Sequence, residues 1–344
     1  MSRKFDFLAT GVGSLPFRDA TEACALIFQH MPEVPHWPQL PRANAIEGMI
    51  EQFAEGMPGV ASENDRVFVR PFEPYDEWER FYTRYEEADL DYFSISPERA
   101  QGLHAFLDEL PRRTTPRYVK GQVTGPITLG LALKDESGAA IFFNQDLQDM
   151  LVKLVGMKAR WQAMMFQRAL PDVETLVFID EPTLSSYGSA FMNVSREAVV
   201  TTLRQVIGQV PGLRGVHICG NTDWSMVMEI GLDVIDFDAY NYLSSFVIYP
   251  SELKKYLEGG GGIGWGIVPT DEEALREADS SQLAQRVKEA MDGLVRDGVA
   301  QELLCANSII TPTCGAASLS EAAARKAYQL TAEIAGILRA DLAG

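Results

Sequence analysis

The chain has 344 residues, of which 46% are hydrophobic and 23% are charged, and its formal net charge is −18. This composition allows a large core, and the acidic balance argues against nucleic acid or an anionic membrane as a partner. The apolar runs are too short to span a membrane, no targeting segment is recognisable, and four cysteines are too few for a disulfide framework. We therefore expect a cytoplasmic protein with reduced thiols.

Seven apolar runs that end in glycine, proline or polar residues predict β-strands. In chain order they cover residues 7–14, 118–126, 176–182, 215–219, 234–238, 263–268 and 308–314. Helical patterns separate them, including a long amphipathic stretch at 146–169 and capping boxes at 270–273 and 318–321. This alternation predicts an α/β fold with a parallel sheet. About eight such units would close a (β/α)₈ TIM barrel, a single domain over residues 1–344.

One strand of the barrel is missing from this series. We expect it between residues 57 and 95, where 66–70 and 90–93 are the two candidates. The proline-rich stretch 31–45 predicts a long irregular loop, and long loops in compact domains are often functional. His30 directly precedes it and His36 lies within it, and both are weaker candidates for contact with a substrate.

The most informative motif joins one imidazole and two thiols. His217 and Cys219 are two residues apart at the end of a predicted strand, so their side chains point to the same side. Cys314 ends a second predicted strand, and all C-terminal strand ends of a parallel barrel lie on one rim. The set predicts an open zinc site with three protein ligands and a position left for substrate. The alternative is a core histidine with two ordinary buried cysteines.

A fourth ligand, if the protein supplies one, should be an oxygen. Asp238 ends the strand after His217 and would be its neighbour on the rim, whereas Asp236 points to the same side one step deeper. Either acid could instead cap the following helix. A site with two thiolates and an imidazole suits an external thiol, which is deprotonated when it coordinates. The chemistry favoured is alkyl transfer to sulfur.

Two other strand ends carry candidate functional groups. Asp180 and Glu181 follow an apolar run and could bind an ammonium group or act as a catalytic base, although Glu181 could instead cap the next helix. Gly13 and Ser14 follow the first predicted strand and would expose backbone N–H groups and a hydroxyl, which suit a carboxylate.

Several motifs together resemble a known family, the catalytic C-terminal half of cobalamin-independent methionine synthase. That family belongs to a wider group with uroporphyrinogen decarboxylase and corrinoid:thiol methyltransferases. The matching segments occur in the family's order and cover nearly the whole chain. They are 10–16 (TGVGSLP), 125–128 (GPIT), 179–182 (IDEP), 217–219 (HIC), 234–238 (VIDFD) and 312–315 (PTCG).

The resemblance implies a zinc-dependent transfer of a methyl group to the thiol of homocysteine, which gives methionine. On this mapping His217, Cys219 and Cys314 are zinc ligands, and Asp238 falls where the family has a glutamate ligand.

The resemblance also implies how the amino-acid part of homocysteine is held. Its carboxylate would bind at Gly13 and Ser14, and its ammonium at Asp180. Glu47 is the nearest candidate for a further acid that the family contributes from an early loop.

The departures from the family concern the methyl donor. No part of the sequence matches the family's N-terminal half, and residues 127–133 lack the tryptophan that the family uses near its folate. A methylated corrinoid protein is therefore an alternative donor to methyltetrahydrofolate.

Three rival functions stay open. One is methylation of another thiol such as coenzyme M, whose sulfonate would leave Asp180 out of place. A second is a metal-free enzyme of the uroporphyrinogen decarboxylase type. Such an enzyme needs arginines for its substrate, and the first strand end offers only Arg18. A third is a non-catalytic corrinoid or metal chaperone.

Overall fold

The computed structural model describes residues 5–63, 66–70, 75–113, 115–189 and 192–342. The strands of this part of the chain are β1 (Leu8–Ala9), β2 (Val60–Glu63), β3 (Arg66–Val69), β4 (Tyr118–Thr124), β5 (Lys134–Asp135), β6 (Glu174–Asp180), β7 (Leu213–Ile218), β8 (Val234–Phe237), β9 (Gly262–Val268) and β10 (Ser308–Pro312).

The helices of the same ranges lie mainly between these strands. They are α1 (Ala20–His30), α2 (Met49–Phe53), α3 (Tyr75–Glu86), α4 (Gln101–Glu109), α5 (Pro126–Ala132), α6 (Gln145–Ala169), α7 (Arg196–Ile207), α8 (Trp224–Glu229), α9 (Ala239–Phe246), α10 (Pro250–Glu258), α11 (Glu272–Glu277), α12 (Ser280–Arg296), α13 (Gln301–Ala306) and α14 (Glu321–Leu342). Short 3₁₀ turns occur at Ala45–Glu47, Leu110–Arg112, Ile141–Phe143 and Pro182–Ser186. Within the described ranges, none of the helices combines the length and apolar character that a membrane span requires.

The predicted parallel sheet is confirmed. Its strand order is β1–β10–β9–β8–β7–β6–β4, and every neighbouring pair is parallel. Each of the seven predicted apolar runs supplies one of these seven strands. The long helix also forms as predicted, but its cap is Asn144, whose side chain accepts from the backbone N–H groups of the first turn of α6.

The prediction for the missing strand is wrong. Residues 66–69 form β3, which pairs with β2 and β5 in a separate small sheet, and 90–93 form a turn. Residues 33–39 lie instead between the two edges of the large sheet, where they make parallel bridges from His36 to Lys120 and from Gln39 to Ser14. The predicted irregular loop therefore contains extended chain. Its prolines cannot donate ladder hydrogen bonds, so the pairing is reduced to isolated bridges.

The concave side of the curled sheet changes character along its strands. An apolar cluster comes from the N-terminal parts of the strands and from residues 33–39, and it comprises Phe5, Leu8, Val34, Tyr118, Leu176, Phe178, Leu213, Val234 and Ile309. Since alternate strand residues share a face, Leu176 and Phe178 are followed on that face by Asp180, and Leu213 is followed by His217. Polar side chains therefore occupy the C-terminal end of the concave side.

Candidate metal centre

One imidazole and two thiols converge at the C-terminal end of the large sheet. The possible ligand atoms of His217, Cys219 and Cys314 all lie within 4.8 Å of one another. His217 belongs to β7, Cys219 directly follows that strand, and Cys314 follows β10. The structure thus brings together the three residues that the sequence predicts as zinc ligands.

A carboxylate behind His217 fixes which ring nitrogen faces the thiols. Nδ1 of His217 lies 2.6 Å from Oδ2 of the fully buried Asp236. This leaves Nε2, which is buried and has no hydrogen-bond partner in the protein. A buried polar atom without a partner is costly, and an ion at the thiol pair would give Nε2 one.

Electrostatics favour a thiolate at this position. The pKa of Cys219 is lowered, chiefly because the Cys314 thiol donates a hydrogen bond to it, and the pKa of Cys314 is raised by that same bond. Burial alone would lower the pKa of His217, but the Asp236 carboxylate and the thiols outweigh burial and raise it well above its ordinary value. Thiolate is the form in which cysteine binds a metal.

A cavity of about 250 Å³ opens directly beside these ligands. Besides His217, Cys219 and Cys314, its described lining comprises Val12, Ser14, Gln39, Pro41, Glu47, Met49, Asp180, Pro182 and Gly315. Three residues predicted to bind substrate therefore share one cavity with the three predicted ligands. This lining contains two carboxylates and neither lysine nor arginine.

Asp180 is the least satisfied acid of the cavity. The residue is almost fully buried, with an exposed fraction of 9%. Its Oδ1 atom has no hydrogen-bond partner in the protein. Burial raises the pKa of Asp180 to about 7, and the nearby positive charge of Lys120 opposes that rise. A ligand ammonium group would satisfy this oxygen.

Glu47 reaches the cavity from the 3₁₀ turn Ala45–Glu47. Its Oε2 accepts from the backbone N–H of Leu40 at 3.2 Å, and its Oε1 from that of Gln101 at 3.4 Å. The side chain is buried, and burial raises the pKa of this carboxyl. Both contacts are at the long end of the hydrogen-bond range, so Glu47 keeps capacity for a further donor.

Gly13 and Ser14 occupy the turn after β1. A side chain at Gly13 would come within 2.8 Å of Nε2 of Gln122, so glycine is needed for the turn to pack against β4. Ser14 lines the cavity, and its carbonyl oxygen accepts from the backbone N–H of Ala316 at 2.8 Å. Gly13 itself lies outside the described lining.

Glu181 points away from the cavity, in contrast to its predicted catalytic role. Its Oε1 accepts from the backbone N–H of Ile127 at 2.9 Å, and its Oε2 accepts from the N–H and hydroxyl of Thr128 at 2.8 and 2.7 Å. It caps α5 from within the core, with no exposed surface. Glu181 therefore caps a helix, as in the alternative to a catalytic role, but the helix is α5, which precedes it, and not the next helix along the chain.

Asp238 lies beside the thiols but outside the three-residue cluster. Its Oδ1 accepts from the backbone N–H of Asn241 at 2.9 Å, and its Oδ2 from the amide of the same side chain at 2.7 Å. It caps α9, and it borders a second groove, of about 390 Å³, on the other side of Cys219 and Cys314. Asp238 therefore makes the helix-capping contacts that the sequence predicts as the alternative to metal binding.

Lys120 lies beneath the cavity and was not among the predicted site residues. Lys120 is fully buried, and its Nζ donates to the carbonyl of Val12 at 2.7 Å and to Gln122 at 3.3 Å. Burial lowers the pKa of Lys120 to about 8. A lysine within the apolar run 118–126 is the signal that could have identified it. His36, by contrast, is held by Trp37 and Tyr328 and does not line the cavity.

The chain is thus an α/β protein with an imidazole–dithiol centre on the concave side of a parallel sheet. Solved structures that share this fold include the following two. A B12-independent methionine synthase from Shewanella sp. W3-18-1, in complex with selenomethionine, is 15% identical, with a TM-score of 0.57 and coverage of 98% of this chain and 99% of that one. A methyltransferase from Methanosarcina mazei is 12% identical, with a TM-score of 0.60 and coverage of 100% and 95%.

The resemblance predicted from the motifs is therefore confirmed at the level of the fold. No protein-family model and no curated protein sequence matches the chain.

Proposed function

We propose that this protein is a zinc-dependent methyltransferase that methylates the thiol of homocysteine to give methionine. The observation that carries the proposal is the shared cavity: the unpartnered Oδ1 of Asp180 borders the same space of about 250 Å³ as His217, Cys219 and Cys314. We further propose that the fold is a (β/α)₈ barrel in which residues 33–39 take the place of the second strand.

The donor set fits zinc. Two thiols and the free Nε2 of an imidazole are the ligands of an open tetrahedral site, and they lie close enough together for one ion. When bound, zinc would hold the acceptor sulfur as a thiolate at neutral pH. His217, Cys219 and Cys314 would hold the ion, and Asp238 is a possible further ligand only if it leaves its contacts with Asn241.

The cavity selects a small thiol that carries an ammonium group. Its volume lies below the roughly 300–1,000 Å³ that is usual for larger ligands. Asp180 would pair with the ammonium, and Ser14 with the carboxylate. Val12 and Met49 offer apolar surface to the methylene groups between them. These contacts would fix the amino acid so that its sulfur meets the metal ligands.

The same lining disfavours two rivals. The sulfonate of coenzyme M would meet Asp180 and Glu47 with no lysine or arginine in the described lining to balance it. A substrate with several carboxylates, as in uroporphyrinogen decarboxylase chemistry, would meet the same two acids. The identity of the methyl donor rests on the test below.

The test is a methyl-transfer assay with the zinc-loaded protein. Homocysteine is offered with methylcobalamin or with methyltetrahydrofolate, and methionine is measured; coenzyme M is the comparison acceptor. We expect methionine from one of the donors and at least tenfold less product with coenzyme M. Cys314→Ser should lose zinc and activity, whereas Cys305→Ser, which alters a buried thiol outside the cluster, should keep both. Undiminished zinc in Cys314→Ser would refute the proposed site.

A further inference from the structure

Behind the imidazole lies a buried chain of hydrogen bonds that links side chains on three strands. His217 on β7 is the cross-strand neighbour of Asp236 on β8, and Nδ1 of the ring lies 2.6 Å from Oδ2 of the carboxylate. The hydroxyl of Thr311 on β10 donates to the other oxygen, Oδ1, at 2.6 Å. Asp236 and Thr311 have no exposed surface, so water does not compete for these bonds.

The strand between β8 and β10 leaves room for this chain. Gly264 on β9 is the register partner of Asp236. A Cβ atom at position 264 would lie 2.3 Å from Oδ1 of Asp236 and 2.7 Å from its Cβ atom. Any side chain there would displace the carboxylate, so the glycine is what allows Asp236 to reach Thr311 past the intervening strand.

The geometry points to Asp236 and Thr311 as positioning residues for the metal centre. We infer that they hold His217 in the tautomer that carries its proton on Nδ1, with Nε2 turned to the thiols, and so set the affinity for zinc. This inference rests on the proposed zinc site and goes beyond it, because neither residue touches the ion. With Oδ1 occupied by the Thr311 hydroxyl and Oδ2 facing the ring, the carboxylate cannot swing away from Nδ1.

A purely structural role explains this arrangement less well. Burying a carboxylate beside an imidazole contributes little net stability compared with apolar packing, since desolvation offsets the attraction. The same pair is useful where a ring must present one defined nitrogen to a metal. Partners of this kind behind a ligating histidine typically change metal affinity by about 10- to 100-fold.

The experiment measures zinc affinity by competition with a chromophoric chelator. Asp236→Asn keeps the shape and removes the charge, and we expect its Kd for zinc to rise by about 10- to 100-fold. Thr311→Val removes only the donor to Asp236 and should raise the Kd several-fold. Thr311→Ser restores the hydroxyl and should return the Kd to near the original value. Thr331→Val is the matched control, because Thr331 is equally buried and its hydroxyl bonds only to a helix carbonyl.

A second readout needs no substitution. In long-range ¹H–¹⁵N spectra of the zinc-loaded chain labelled at histidine, we expect His217 to carry its proton on Nδ1 and to bind the metal through Nε2. The opposite assignment would overturn the inference even if every variant failed to fold.

The outcomes separate this inference from the proposed function. If the unmodified chain binds zinc and both Asp236→Asn and Thr311→Val bind it equally well, the positioning role is wrong and the zinc site stands. If the unmodified chain does not bind zinc, the proposed function and the inference fall together.

Discussion

Replacing Asp180 by asparagine tests the substrate side of the cavity. The change keeps the volume of the side chain and removes the negative charge that we expect to pair with the ammonium of homocysteine. Hydrogen bonds to charged groups contribute about 1.5–3 kcal/mol, which corresponds to about a 10- to 150-fold loss of affinity at about 1.4 kcal/mol per tenfold. The loss should appear as a higher KM for homocysteine in steady-state assays, with zinc content unchanged, since Asp180 is outside the ligand cluster.

The dependence of KM for homocysteine on pH tests the same ion pair, and its direction can be predicted. Burial raises the pKa of Asp180 to about 7, so in the free protein the carboxyl becomes neutral as the pH falls through that value. A neutral carboxyl attracts an ammonium weakly, and KM for homocysteine should therefore rise as the pH is lowered from 8 to 6. Asp180→Asn should show a clearly weaker dependence, because its amide does not titrate in this range and only the loss of the homocysteine thiol proton on binding to zinc remains.

A change of acceptor supplies the control for Asp180. The thiol 4-mercaptobutyrate is homocysteine without its amino group, so it cannot use the proposed ion pair. Asp180→Asn should leave its KM nearly unchanged while raising that of homocysteine. An equal loss for both thiols, or an unchanged KM for homocysteine, would refute the assignment of Asp180 to the ammonium.

Three further substitutions give distinct expectations. Asp238→Asn should keep zinc affinity within about threefold by chelator competition, since the new side chain can still accept from the backbone N–H of Asn241. A loss of more than about 100-fold, beyond what residues near a metal site but not bound to the ion typically cost, would make Asp238 a ligand. Gly264→Ala should lower zinc affinity as Asp236→Asn does, because the added Cβ lies 2.3 Å from Oδ1 of Asp236; unchanged affinity would show that the carboxylate tolerates displacement. Glu181→Gln should lower the free energy of unfolding by about 1–3 kcal/mol in urea titrations, because the new amide group would face the three donors that the carboxylate now accepts from. The kcat of the folded fraction should stay unchanged, and a selective loss of kcat would restore the predicted catalytic role of Glu181.

The positions of the site residues follow from the sequence because apolar runs mark parallel strands, and parallel strands end on one rim. That rule places Asp180, His217, Cys219 and Cys314 together before any side chain is seen. The same rule does not predict that the segment 33–39 is extended. Its prolines interrupt both the apolar pattern and the hydrogen-bond ladder, so only the tertiary pairing with Ser14 and Lys120 shows that it is extended.

Two pairs of acids, Asp180 with Glu181 and Asp236 with Asp238, show when the sequence can distinguish a residue of the site from a residue that supports the fold. In Asp180–Glu181 the residues are adjacent, so strand alternation sends them to opposite faces: Asp180 shares the concave face with Phe178, and Glu181 enters the core and caps α5. The alternation of side chains along a strand is therefore sufficient to assign Asp180, and not Glu181, to the cavity.

For Asp236 and Asp238, strand alternation cannot tell which residue supports the site, because the two are two positions apart and point to the same face of the sheet. What separates them is depth along the strand. Asp236 is level with His217 in the register of β7 and β8, whereas Asp238 is past the strand end, where the exposed backbone N–H groups of α9 compete for its oxygens. Register and helix starts are tertiary facts, which is why the residue that supports the imidazole could be recognised only once the strands were paired.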